Sequence, residues 1–395
     1  MIVCLITPGH LASDPRLIKE AKALSENGIA VHLIFTQYVR YLVKYDQLIL
    51  ESNPEWTYDC LDWTGSSSLS KIIRLRSKLH SIFNNDYKIS PDRNHNWLFK
   101  KAVAITADLY IAHNLGALPA AVCAAKKNNA KSGFDAEDFH RFEISNNINE
   151  KEVKLKITIE DNYIPQLDYL TASSPKIAYK YSALYHLDVK TILNAFPKTR
   201  SVNITANITT PLQLFWFSQT IGPNRGIEAV IQGIGMSGIR INLHLLGDIS
   251  KEYKDGLLYL IAKDAPLCNL QFYTPVRAEQ IFEIAYAFDI GLAAEPHFPL
   301  NRNICLTNKL FTYIQSGLAV LASDTVAQVA FFSQLPEAGI IYKDSRSLAE
   351  AITAYHLNRE RLFETRKMNY LAGQSSLNWE TEAPKFIETI YRAIN

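Results

Sequence analysis

The sequence has few cysteines, little net charge and no long apolar run. Its five cysteines are scattered over 395 residues and form no CxxC pair, which indicates a reducing compartment and argues against a structural zinc site. The formal net charge of +2 gives no general attraction to nucleic acid. No apolar run approaches the roughly 20 residues of a membrane span. We therefore expect a globular, cytoplasmic protein with no nucleic-acid partner.

Strand and helix patterns alternate along the chain. Residues 1–7 lack the basic region and the cleavage site of a signal peptide, so they are predicted to form a strand. A predicted helix at 16–27, ended by Gly28, and a second strand at 31–35 follow. This βαβ order is typical of a parallel sheet with right-handed crossovers.

A second series of strands begins after Pro197. The polar segment 198–210 is the predicted linker between the two series. We therefore predict an α/β protein with two Rossmann-like domains, 1–197 and 198–375, followed by a terminal helix at 376–395. The further strands are predicted at 109–112, 132–136, 169–173 and 190–193, and then at 212–217, 242–246, 270–273, 290–293, 319–322 and 339–342.

The most informative segment is 307–324. Its pattern predicts a short amphipathic helix, ended by Gly317, and then a buried strand. Thr307 is expected to cap the helix through its hydroxyl. The positive end of the helix at Thr307 and Asn308, together with the cation Lys309, would then face outward and bind phosphate. An ordinary helix–strand unit of an α/β sheet is the alternative.

Residues 308–324 resemble the NKLFEYxxxGxPVxxS segment of GT-B glycosyltransferases of the family 4 type. In that family the segment lines the site of a nucleotide-sugar donor. The resemblance runs from Asp14-Pro15-Arg16 to Trp379-Glu380. It implies the GT-B fold, in which two Rossmann-like domains face a cleft and the last helix packs back on the first domain.

The same resemblance implies an enzyme of the hexosyltransferase type. It would move a sugar from a UDP- or GDP-sugar, with retention, to a glycan or lipid-linked acceptor in cell-surface polysaccharide or glycolipid synthesis. A nucleotide-sugar epimerase of the same fold is one alternative. A catalytically silent member that acts as a binding subunit is another.

The segment 218–226 is predicted to be a loop between a strand and a helix, an arrangement that binds anions. In the family this loop resembles GRLxxxKG, whose Arg and Lys hold the donor diphosphate. Arg225 occupies the Lys position, and the Arg position falls near Thr220. One cation of the pair is therefore expected, with further donors from Ser218, Gln219 and Thr220. A tight turn with a solvated arginine is the alternative.

The paired glutamates of the family are absent, so the chain is a divergent member. The glutamate that holds the ribose hydroxyls falls on Thr312, and the one that contacts the sugar falls near Cys305. A threonine hydroxyl accepts fewer and weaker hydrogen bonds than a carboxylate. We therefore expect weaker nucleotide binding, partial replacement by Glu295 or Asp324, or an unusual donor.

The first domain is expected to hold the acceptor. Gly9 lies in a loop that resembles the first loop of the family, and it would let the backbone approach sugar or phosphate closely. His113 and Asp138 follow predicted strands and resemble the DxxHxHN and DxHxxxE segments. With Glu295 they are the candidate catalytic residues. Arg16 is expected to be structural.

No metal and no cofactor other than the nucleotide-sugar substrate is expected. Asp135, Glu137, Asp138 and His140 could be read as metal ligands, but GT-B enzymes do not normally need a bound divalent ion. A structural role, in which Asp138 caps a helix and His140 only packs, is the further alternative.

The segment 69–83 has apolar residues on one helical face and basic residues on another. This pattern suits a peripheral contact with anionic lipid at the inner face of the membrane. A surface helix packed on the core, with a solvated basic face, is the alternative.

Overall fold

The computed structural model describes residues 1–65, 94–199, 204–205 and 211–395. The segment 69–83 and most of the predicted linker 198–210 lie outside the described residues. The chain divides into two compact units, which are Met1–Leu193 with Ala383–Asn395 (unit 1) and Asn194–Glu382 (unit 2). Each unit is built on a parallel sheet with helices, so the predicted α/β class is confirmed.

Unit 1 has seven parallel strands within the described residues, in the order β3-β2-β1-β4-β5-β6-β7. The central strands are almost completely buried, as expected for a parallel sheet that is covered on both faces. The strands are β1 Ile2–Ile6, β2 Ala30–Gln37, β3 Thr57–Asp62, β4 Leu109–His113, β5 Lys131–Ala136, β6 Tyr169–Ala172 and β7 Val189–Thr191. The helices are α1 Pro15–Glu26, α2 Val43–Glu51, α3 His95–Ala104, α4 Leu118–Asn128, α5 Lys151–Tyr163 and α6 Pro175–Tyr185.

Unit 2 has six parallel strands in its described part, in the order β10-β9-β8-β11-β12-β13. The strands are β8 Leu212–Ile221, β9 Ile241–Ile249, β10 Cys268–Tyr273, β11 Ile290–Ala293, β12 Ala319–Ser323 and β13 Gly339–Tyr342. The helices are α7 Ile227–Ser237, α8 Lys251–Asp264, α9 Ala278–Ala285, α10 Leu300–Ile304, α11 Asn308–Gln315, α12 Val326–Phe332, α13 Ser345–Leu357 and α14 Arg359–Ser375. The last helix, α15 Trp379–Ile394, begins in unit 2 and ends in unit 1. Among the described helices, none has the length and the apolar character needed to cross a bilayer.

The prediction of a loop at 218–226 is wrong for the first half of this segment. β8 continues through Ser218, Gln219 and Thr220, and Thr220 pairs with β9 after an irregularity in the register. Gly247 allows this close approach, because a Cβ atom there would lie 2.5 Å from the carbonyl oxygen of Ser218. The loop is therefore confined to 222–226.

Two glycines in central strands make room for tyrosine rings. A Cβ atom at Gly291 of β11 would lie 2.2 Å from Cγ of Tyr313, which belongs to α11. A Cβ atom at Gly133 of β5 would lie 2.0 Å from Cε1 of Tyr169 in β6. Both rings are buried. In unit 2 this packing sets α11 directly against β11.

The far end of α11 holds the segment by which the chain enters unit 2. Gln315 is fully buried, and its amide nitrogen donates to the carbonyl oxygens of Phe196 at 2.9 Å and Pro197 at 3.3 Å. Its amide oxygen accepts from the N–H of Phe196 at 3.3 Å. The N–H of Trp379, at the start of α15, donates to the same Phe196 carbonyl at 2.8 Å.

Candidate functional site

The sheet of unit 2 has a topological switch point between β8 and β11. From there β9 and β10 follow on the β8 side, and β12 and β13 follow on the β11 side. Ligands of open α/β sheets bind at the carboxyl ends of the strands at such a point. The loop 222–226 follows β8, and residues 294–297 follow β11. The two loops touch, since a Cβ atom on Gly226 would lie 3.2 Å from Cβ of Ala294.

A buried ion pair occupies this position. Glu295 is 5 % exposed and Lys309 is 7 % exposed, and Oε1 of Glu295 lies 2.6 Å from Nζ of Lys309. The ammonium group also lies over the ring of Trp216, 5.7 Å from its centroid. Burial alone would raise the pKa of Glu295, but Lys309, Arg302 and the Thr307 hydroxyl together hold that pKa below its ordinary value. Glu295 is therefore ionised at neutral pH.

Two expectations for the start of α11 need correction. Thr307 precedes the helix, but its side chain makes no capping hydrogen bond. Its hydroxyl binds the Glu295 carboxylate instead and helps to lower the pKa of that group. Lys309 does not face outward, because Glu295 draws it into the buried pair. The Thr307 hydroxyl and the Lys309 ammonium group are thus organised around one carboxylate.

Two arginines complete the charge cluster. Nη1 of Arg302, in α10, lies 3.5 Å from Oε2 of Glu295. Arg225 is half-buried and forms no ion pair with the described residues. Burial lowers the pKa of Arg225, and the positive charge of Arg302 lowers it further. The sequence analysis did not select Arg302, because it stands in a stretch without a helix or strand pattern. Its short spacing from Glu295 along one loop is the signal that could have indicated their contact.

The remaining donor-site candidates differ in their access to solvent. Asn308 begins α11 and is half-buried, whereas Thr312 is 1 % exposed on the buried face of that helix. A ribose would reach the Thr312 hydroxyl only after neighbouring side chains moved, so its ribose contact stays a prediction. Oδ1 of Asp324 lies 2.8 Å from Nε2 of the exposed His297.

In unit 1, His10 fixes the loop that follows β1. Its Nε2 accepts hydrogen bonds from the N–H groups of Tyr38 and Val39, each at 2.8 Å. Nδ1 must then carry the proton and donate to Oδ2 of Asp46 at 2.6 Å. Apart from its chain neighbours, no atom of the described residues lies within 4 Å of the position that a Cβ of Gly9 would take. The Gly9 carbonyl accepts from the N–H of Thr36 at 3.2 Å, so the space beside its Cα is open while the next residue is held in place.

His113 lies inside unit 1 rather than at a ligand-facing edge. It is 2 % exposed, and its Nε2 lies 3.2 Å from Oε2 of the fully buried Glu20. Arg16 donates to both carboxylate oxygens of Asp135 and to the Ile192 carbonyl at 2.7 Å. The structural role predicted for Arg16 is confirmed. The ring of His113 belongs to this buried charge group, and its expected contact with sugar or acceptor stays a prediction.

The charge of His113 predicts a pH dependence of stability. Burial opposes the imidazolium, but Glu20 outweighs burial and raises the pKa of His113 from 6.5 to about 9. A raised pKa stabilises the folded state fully below pH 6.5, and this contribution is lost as the pH rises toward 9. We expect the free energy of unfolding of the wild type, minus that of His113→Gln, to fall by up to about 3 kcal/mol over this range.

Urea titrations of both proteins at several pH values measure this difference. Subtracting the variant removes the opposite contribution of Lys19, whose pKa burial lowers to about 7. A difference that stays constant with pH would show that folding does not raise the pKa of His113.

The residues after β5 include Glu137, which the sequence analysis considered only as a possible metal ligand. Burial raises the pKa of Glu137 to about 7, and the charges of Asp14 and Asp138 act in the same direction. A carboxyl group with such a pKa exchanges protons readily near neutral pH. Asp138 itself is half-buried. His140 is 4 % exposed, with Nδ1 at 3.2 Å from Glu143.

One group of side chains has the composition of a metal site. Ligand atoms of Glu20, His113 and Asp135 all lie within 4.8 Å of one another. The guanidinium of Arg16 already binds both oxygens of Asp135. The negative charge that a metal ion would neutralise there is therefore already neutralised by Arg16. The alternative ligand set around Asp138 and His140 is not brought together within the described ranges.

Comparison with solved structures identifies the fold. The chain resembles sucrose-phosphate synthase from Thermosynechococcus elongatus, with a TM-score of 0.69 and 12% identity, over 99% of this chain and 98% of that one. It also resembles Anabaena HepE in complex with UDP and glucose, with a TM-score of 0.66 and 13% identity, over 99% of both chains. TarM from S. aureus, in a complex that contains UDP, matches with a TM-score of 0.68 and 10% identity, over 100% of this chain and 99% of that one.

These structures have the GT-B fold, and the predicted fold of two Rossmann-like domains is thereby confirmed. No family model matches the sequence, and no curated protein matches it either.

Proposed function

We propose that this protein is a glycosyltransferase, a divergent relative of the GT-B enzymes of family 4. It transfers a hexosyl group from a UDP- or GDP-sugar, with retention, to a glycan or lipid-linked acceptor in the synthesis of a cell-surface polysaccharide or glycolipid. The carboxyl edge of the unit 2 sheet holds the donor, and that of unit 1 holds the acceptor.

The observation that carries this proposal is the cation cluster at the β8/β11 switch point. Arg225 is half-buried, has no ion-pair partner among the described residues, and lies near a second guanidinium. Such an arrangement is unfavourable without further negative charge, because Glu295 is already shared by Lys309 and Arg302, like charges repel, and burial weakens their hydration. A diphosphate supplies the missing negative charge, and two of the proteins of the same fold were solved with UDP.

The site supports the departure of a nucleoside diphosphate. The bond between the anomeric carbon and the diphosphate oxygen breaks, and the acceptor oxygen forms the new bond. Arg225 and Lys309 stabilise the negative charge on the departing group, together with the N–H groups at Asn308. An ammonium has three donors, so the contact of Lys309 with Glu295 leaves others for phosphate.

On the acceptor side, Asp138 is the group that accepts the proton of the attacking hydroxyl. It is half-buried, whereas His113 is 2 % exposed. His113 therefore acts by holding Glu20 and the strand ends in place. The open space beside Gly9 provides the second acceptor contact.

Replacing Arg225 with alanine should weaken UDP or GDP binding by about ten- to a hundred-fold, since a charge-assisted hydrogen bond to phosphate is lost. Isothermal titration calorimetry measures this change. Arg240→Ala is the matched control, because Arg240 is an exposed arginine of the same unit. Equal affinities of the wild type and Arg225→Ala would remove the phosphate site from this loop.

Turnover assays separate the alternatives. Release of UDP that depends on an added acceptor supports the transferase. Nucleotide binding without turnover of any donor indicates a binding subunit. Incorporation of solvent deuterium into a free nucleotide sugar indicates an epimerase.

A further inference from the structure

Arg302 is the cation of unit 2 that neither the sequence pattern nor the family resemblance selects. It lies in the short helix α10, on the connection that leaves the carboxyl end of β11. Its guanidinium is 3.5 Å from Oε2 of Glu295, and its side chain is 31 % exposed. It is therefore held from one side by a buried carboxylate and reached by solvent from the other.

The charges around Glu295 do not balance. Lys309 and Arg302 both form ion pairs with this one carboxylate, and Arg225 interacts with Glu295 and Arg302 as well. Three cations thus share one anion among the described residues. This cluster therefore has more cations than the Glu295 carboxylate can neutralise, and a bound diphosphate would supply further negative charge.

The positions of the two arginines follow from the packing of their loops. Gly226, next to Arg225, touches Ala294, which precedes Glu295 in the chain. Arg225 thus approaches Glu295 from the β8 side, and Arg302 approaches it from the α10 side. An arginine from each loop can therefore donate to one phosphate group, and the planar fork of each guanidinium suits phosphate oxygens.

We propose that Arg302 binds the diphosphate together with Arg225, and that Glu295 positions Arg302 for this contact. This inference rests on the proposed function. The residue at the position of the second cation in the β8 loop, Thr220, has no charge and belongs to a strand. Arg302 supplies that charge from a different element, so the two cations, Arg225 and Arg302, come from two different loops.

A pair of arginines at the diphosphate makes a specific prediction about ligand choice. The terminal phosphate of UDP meets both guanidinium groups, whereas UMP lacks that phosphate. Arg302→Ala should therefore weaken UDP binding by about ten-fold or more and change UMP binding by less than about three-fold. Arg302→Lys should recover part of the UDP affinity, because it restores the charge without the fork.

Calorimetry with UDP and UMP on the wild type, Arg302→Ala, Arg302→Lys and the control Arg240→Ala tests the proposal. A thermal unfolding scan of each variant accompanies it, so that loss of binding is compared only among folded proteins. Equal losses of UDP and UMP affinity in Arg302→Ala would assign Arg302 a structural role and overturn the inference.

Two further outcomes separate this inference from the proposed function. Arg302→Ala could bind UDP like the wild type while Arg225→Ala loses binding; the inference then fails and the donor site stands. If the wild type binds neither UDP nor GDP, the proposed function itself fails.

Discussion

Replacing Lys309 with methionine is expected to abolish measurable UDP binding and to lower the free energy of unfolding by about 3–5 kcal/mol. The substitution leaves the carboxylate of Glu295 buried without its partner at 2.6 Å. Removing one member of a buried ion pair costs far more than the pair contributes, because the remaining charge stays desolvated. Arg302 remains 3.5 Å from the same carboxylate, which places the expected loss toward the lower value. Urea denaturation and calorimetry with UDP measure the two effects.

The double variant Lys309→Met with Glu295→Gln distinguishes stability from binding. It removes the orphaned charge, so most of the stability should return, whereas UDP binding should not. Lys343→Met is the matched control, since Lys343 is an exposed lysine of unit 2. Full stability of the single variant would mean that Glu295 is neutral in the folded protein. UDP binding at wild-type affinity would exclude Lys309 from the donor site.

Replacing Gly291 with alanine is expected to destabilise unit 2 by about 2–3 kcal/mol or more and to weaken UDP binding. The new methyl group would lie 2.2 Å from Cγ of Tyr313, so the ring must move. Tyr313 is fully buried and stands one helical turn after Lys309 in α11. A displaced Tyr313 therefore shifts the helix that carries the ammonium group. Thermal unfolding and UDP titration of the folded variant measure both consequences.

Gly133→Ala is the control for this prediction. Its methyl group would meet the Tyr169 ring at 2.0 Å in unit 1, so a similar loss of stability is expected. UDP binding below the unfolding temperature should be unchanged, because the donor site belongs to unit 2. Wild-type UDP affinity in Gly291→Ala would show that the position of α11 does not depend on Tyr313.

The parts of the fold that can be predicted from the sequence are the buried central strands. β11 has the bounds that the apolar run at 290–293 indicates, because strands buried on both faces carry continuous apolar residues. The partly buried edge strand β13 also has its predicted bounds, 339–342. The pattern does not predict β3, an edge strand with the polar sequence Thr-Tyr-Asp-Cys-Leu-Asp and little burial. It also ends β8 too early, since Ser218 to Thr220 are polar but pair across an irregular register.

For the candidate site, the sequence allowed us to predict which segments form it but not which side chains meet there. The resemblance selects α11 and the loop after β8, and Arg225 and Lys309 do lie at one end of the same sheet. The partners of the charged groups could not be predicted, because they depend on where side chains from different loops meet. Glu295 with Lys309 and Arg16 with Asp135 are such pairs. The order of residues along the chain contains no direct record of these distances.

The hydrogen bonds from Gln315 to Phe196 and Pro197 link the proposed donor site to the segment by which the chain enters unit 2. α11 has eight residues and is about 12 Å long, with Lys309 in its first turn and Gln315 as its last residue. A nucleotide that draws the first turn toward its phosphates strains or relaxes the hydrogen bonds that the side-chain amide of Gln315 forms at the other end. By reciprocity, a change in the backbone at Phe196 that is coupled to this movement alters the affinity for a nucleotide by the same free energy.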